Sequence, residues 1–143
     1  MSETPDLPKW FWIVCGLALL WNLLGLGAFL AQIMMSADAL AQLPQAEQDI
    51  YSSTPAWANI AFGCAVVGGV LGCLALLLKR AIAFPILIIS LLGVVVQMSH
   101  AFLLSEAFEV YGPGSVVMPI LVLLMAIALV WFSNNARSKS WIV

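Results

Sequence analysis

Charge is scarce in this chain. Five bases and seven acids among 143 residues make 8% charged, with a formal net charge of −2, against about 25% in an average soluble domain. Histidine occurs once, as His100, and the cysteines number three. Cys15 and Cys73 each fall about one helical turn from the end of an apolar run, Cys64 lies deeper, and no C-x-x-C occurs. Neither a disulfide framework nor a thiol-redox motif is indicated. The three read as small packing residues. A phosphate loop, a catalytic triad and a nucleic-acid signature are all missing from the sequence. No enzyme activity, cofactor, metal or nucleic-acid partner is therefore expected.

Apolar residues fill the space that charge leaves. The chain is 64% hydrophobic with mean hydropathy +1.08, more apolar surface than a soluble fold of this length could hide. Residues 81–104 carry no charged side chain and follow directly on Lys79-Arg80. As a helix this run is about 36 Å long, enough to cross a bilayer core of about 30 Å. Similar runs occupy residues 10–35, 55–78 and 115–132. The expectation is an all-α polytopic membrane protein, one domain over residues 1–143, with four transmembrane helices in an antiparallel bundle.

Residues 1–9 read as a short irregular tail. A cleaved signal peptide is not expected, because Glu3 and Asp6 oppose a single Lys9 and the first run exceeds an h-region of about 7–15 residues. Ala37-Asp38-Ala39 resembles a cleavage triplet, yet the first helix is expected to stay. The 36–54 loop should be structured. Ser36 can cap a turn that ends before Pro44, which in turn suits the start of a second short helix with Glu47 in its first turn. Gly112-Pro113-Gly114 forces a reversal within the turn-rich 105–114 link. After residue 132 a polar tail is expected.

The few charges are sorted by side. Lys9, Lys79, Arg80, Arg137 and Lys139 fall on one side of a four-span arrangement. Asp38, Glu47, Asp49, Glu106 and Glu109 fall on the other, with no base among them. The positive-inside rule then places both termini in the cytoplasm and the 36–54 loop outside. Aromatic residues agree, with Trp10, Trp12, Trp131 and Trp141 at the inner boundary and Tyr51, Trp57 and Tyr111 at the outer one. Only Trp21 sits near the middle.

Inside the spans the informative residues are small or polar. Two rows spaced four apart, Ala61-Ala65-Gly69-Cys73 and Cys64-Gly68-Gly72, invite close approach of a neighbouring helix. Packing within the chain is the first reading of these rows, and a dimer seam the second. Asn22, Gly25, Phe29 and Gln32 share one helical face, as do Ser90, Gly93, Gln97 and His100. Unpaired amides are costly in hydrocarbon, so these faces should point into the bundle. Asn22, Gln32, Asn59, Gln97 and His100 are thus the candidate ligand-binding residues, against a plain reading of interhelical hydrogen bonds. Asn22-Leu-Leu-Gly25 also aligns with Ser90-Leu-Leu-Gly93, which would follow from a duplicated hairpin.

Sharper chemistries fit poorly. No carboxylate and no arginine lies within a span, which argues against proton-coupled multidrug exporters and four-helix glutathione-dependent enzymes alike. Met98 and His100 are too close along a helix to face one copper ion together.

The runs WNLLGLGAFLAQ (21–32), TPAWANIAFGCAVVGGVLGCLALLLKR (54–80) and VYGPGSVVMPILVLL (110–124) resemble a set of small bacterial four-helix inner-membrane proteins. That set is often labelled loosely as sugar transporters. The resemblance implies a bacterial inner-membrane location and brings no site residues with it. Two functions follow as expectations. One is a permease or binding protein for a small, sugar-like solute, acting as a homo-oligomer because four helices enclose little volume. The other is a non-catalytic accessory subunit of a larger membrane complex.

Overall fold

Long apolar runs can satisfy their own backbone in lipid only as helices, and helices are what form. The computed structural model describes residues 6–143, which are helical throughout their regular parts and contain no strand. The elements are α1 (Lys9–Ile33), α2 (Ala37–Ala41), α3 (Gln45–Ser53), α4 (Ala56–Leu77), α5 (Ala83–Leu103), α6 (Ala107–Tyr111) and α7 (Val117–Ser138). A 3-10 turn, Pro113–Val116, leads into α7. Four helices are long and apolar enough to cross a membrane: α1, α4, α5 and the Pro113–Ser138 stretch that contains α7. Residues 1–5 of the expected N-terminal tail lie outside the described residues. Asp6 to Pro8 are irregular, as expected, though Leu7 packs against the core.

The four long helices stand in a row, with α1 on α4, α4 on α5 and α5 on α7. Neighbours run in opposite directions. Along α1 and α4, Gln32 meets Asn59, Gly25 meets Val66 and Asn22 meets Gly69. Along α4 and α5, Ala61 and Ala65 meet Gly93, Gly68 meets Ser90 and Gly72 meets Leu87. The small residues of α4 make this possible. Apolar burial gives helices in lipid no driving force, so close backbone approach must replace it. Gly68, Gly69, Gly72 and Cys73 are all buried, whereas Cys64 is exposed. Both rows pack within the chain, apart from that one residue.

α1 and α7 are the outer members of the row and do not pack along their length. They meet only at the end that holds the basic residues. There Phe11 stacks on Phe132 with ring centres 5.6 Å apart. Trp141 sits edge-on to Trp10 at 5.5 Å and to Phe11 at 5.9 Å. The bundle is closed at its basic end and splayed beyond it.

That closure corrects the expected polar tail. α7 runs on to Ser138 rather than ending near 132, with the Arg137 guanidinium 4.2 Å above the Phe84 ring of α5. Ser140, at φ 58, turns the chain back. The Val143 N–H then donates to the Lys79 carbonyl at 3.0 Å, and the Ala81 N–H donates to the Val143 carbonyl at 2.9 Å. Ile142 ends up 1% exposed. Charge-poor composition hid this, because the apolar Trp141-Ile142-Val143 is too short to register as a span.

Short helices cover the acidic end. Ser36 accepts from the Ala39 N–H at 3.1 Å and so caps α2, while Pro44 precedes α3 with Glu47 in its first turn. α6 forms inside the expected turn-rich link and packs on α3. Gly112, at φ 85, makes the reversal that an L side chain would resist. Partial burial, then the Glu47 carboxylate and Tyr51, push the Tyr111 phenol above its ordinary pKa.

Candidate functional site

The splay leaves a cavity of about 340 Å3 between all four long helices. α4 and α5 form its back wall through Phe62, Ala65, Val66, Ser90 and Val94. α1 contributes Trp21, Asn22 and Leu24, and α7 contributes Met118, Met125 and Ala126. Leu87 and Leu129, both buried, close it toward the aromatic cluster at the basic end. At the rim, Leu24 is 66% exposed and Met118 58% exposed. The cavity therefore has a floor and an apolar mouth between α1 and α7.

No charged side chain lines it, and three polar ones do: Asn22, Ser90 and Gln97. Two of these are occupied with packing. The Asn22 amide donates to the Ala18 carbonyl at 2.8 Å and to Cys73 Sγ at 3.5 Å, and its oxygen is tucked against Gly69. The Ser90 hydroxyl donates to the Ala65 carbonyl at 2.5 Å, joining α5 to α4. Gln97 differs. Among the described residues its amide takes no part in a side-chain hydrogen bond, and it is only half-buried at the cavity wall. Asn22 and Ser90 flank α4 at one level, beside Gly69 and Gly68. Gln97 lies two turns further along α5, about 10 Å away along the axis.

Of the five candidates from sequence, the cavity brings together Asn22 and Gln97. The other three lie elsewhere. Gln32 Nε2 donates to Asn59 Oδ1 at 3.0 Å, a self-contained bridge between α1 and α4. His100 turns its ring edge-on to Trp57 of α4, with centres 5.4 Å apart. Three residues along a helix is a turn of about 300°, so Gln97 and His100 differ in direction by about 60°. Where α5 lies flat on α4, that angle divides the cavity wall from the helix seam. Sequence reasoning missed the α7 side entirely, since Met118, Met125 and Ala126 carry no polar signal. Trp21 was visible as the one tryptophan near mid-span, and it lines the cavity.

Among the described residues no group of histidine, cysteine, aspartate or glutamate side chains could hold a metal ion. No family model, curated protein or solved structure matches the chain.

Proposed function

We propose that this chain binds a small molecule inside the membrane, in the cavity between α1, α4, α5 and α7, as a permease or as a binding protein. One observation carries the reading. A half-buried glutamine amide, free of hydrogen bonds among the described residues, faces a cavity of about 340 Å3. That volume lies at the lower end of ligand pockets, about 300–1,000 Å3. A packing role would have used the amide, as it uses those of Gln32 and Asn59. In this reading the basic end, with both termini, faces the cytoplasm of a bacterial cell and the α2–α3 segment faces outward. The oligomer expected from so small an enclosed volume belongs to the same reading.

The test is ligand-dependent stability. Purified protein in nanodiscs is melted against a panel of charged, sugar-like and neutral apolar solutes, beside an Ala126→Phe variant whose ring occupies the cavity. A ligand present at about 100 times its Kd stabilises by about 2.7 kcal/mol. At least one solute class should raise the parent's melting temperature and leave the variant unmoved. If no class does so, and the protein purifies as part of a larger complex, the accessory-subunit reading replaces this one.

A further inference from the structure

Resting on that binding reading, the lining of the cavity narrows the ligand. We propose that it takes a neutral, mainly apolar molecule that arrives sideways from the hydrocarbon between α1 and α7, and that Gln97 hydrogen-bonds it.

Three observations carry this. The lining has no charged residue, so an ion would lose its hydration with nothing to replace it. Asn22 and Ser90 spend their donors on α1 and α4, so Gln97 alone offers an uncommitted amide, enough for one or two polar groups but not for a sugar's ring of hydroxyls. The mouth lies between α1 and α7, which do not pack along their length, and its exposed lining residues are apolar: Leu24 within α1 and Met118 near the start of α7. The basic end, by contrast, is shut by Phe11, Phe132 and Trp141. A molecule dissolved in the bilayer meets an open side; one arriving from water at the basic end meets stacked rings.

Trp21, in the lining, supplies the readout. The probe is 6-bromo-2-naphthol, neutral at pH 7, whose bromine quenches indole fluorescence on contact; 6-bromo-2-naphthoate is its charged counterpart. Protein in nanodiscs is titrated with each. The naphthol should quench saturably, the saturable part should vanish in Trp21→Phe and in Ala126→Phe, and the naphthoate should bind at least tenfold more weakly. Gln97→Leu, which folds without needing to fill space, should weaken the naphthol about two- to tenfold, the range of one hydrogen bond. Quenching that rises linearly and equally in parent and Ala126→Phe would mean partition into lipid only, and would overturn the proposal. So would an unchanged affinity in Gln97→Leu. A brominated phospholipid that quenches Trp21 in the parent but not in Ala126→Phe, and that the naphthol cannot displace, would make the occupant an acyl chain and overturn it too. If the naphthoate or glucose stabilises the parent through the cavity while the naphthol does not, this inference fails and the binding reading stands. If none of them distinguishes the parent from Ala126→Phe, both fail.

Discussion

At the scale of single residues, the helix contacts turn on what a glycine admits. Gly69 leaves room for the Asn22 carboxamide, and a Cβ there would overlap its oxygen. Gly69→Ala should therefore swing the amide off α4, with a cost of about 1–3 kcal/mol typical of overpacking. The same substitution in an Asn22→Ala background should cost little, because the obstacle is gone. A double-mutant cycle of melting temperatures reads this coupling, and additive effects would show that the two residues are independent. His100 is the opposite case. Its one defined partner is the Trp57 ring, and it stands apart from the cavity lining. His100→Gln should lose about 0.5–1.5 kcal/mol of edge-to-face contact and leave ligand binding unchanged. Loss of binding with stability intact would make the histidine a site residue after all.

At the scale of elements, α4 and α5 form the rigid pair on which the rest is hung. A Cβ on Gly93 would lie 2.8 Å from the Ala61 carbonyl oxygen and 2.9 Å from the Ala65 nitrogen, both backbone atoms that cannot step aside. Gly27 meets nothing within 4 Å. Gly93→Ala should thus lower the melting temperature clearly, while Gly27→Ala should hold or raise it, since alanine is the better helix former. Equal responses would mean that the α4–α5 seam is loose. Much of this scale was legible in advance. Four apolar runs bounded by the Lys79-Arg80 pair, prolines and glycines marked the long helices to within a few residues except at the C-terminal end of α7, and Ser36 and Pro44 marked α2 and α3 but nothing marked α6. Two further features were not legible. The return of Ile142 to the core depends on hydrogen bonds to the α4–α5 turn, which no local pattern encodes. The placement of Gln97 apart from His100 depends on how α5 lies against α4, and face-sharing along one helix does not fix that. The apparent duplication fares no better. Asn22 lies against α4, and a true repeat would lay Ser90 correspondingly against α7, yet Ser90 bonds back to α4.

At the scale of the whole molecule, one end is basic, aromatic and closed, and the other is acidic and covered by short helices. Cysteines placed at Asp49 and Ser138, both exposed, read the orientation that this polarity implies. An impermeant thiol reagent applied from outside should label position 49 and spare position 138; the reverse pattern would invert the assignment. The row of four helices, closed at the basic end and splayed above it, encloses the cavity. The most direct measurement is an experimental structure in lipid nanodiscs, inspected for non-protein density between Asn22 and Gln97. Compact density touching the Gln97 amide is expected, with α1 and α7 apart beside it. Helices α1 and α7 packed against each other along their whole length, with Gln97 hydrogen-bonded to a neighbouring helix and no space between, would contradict it.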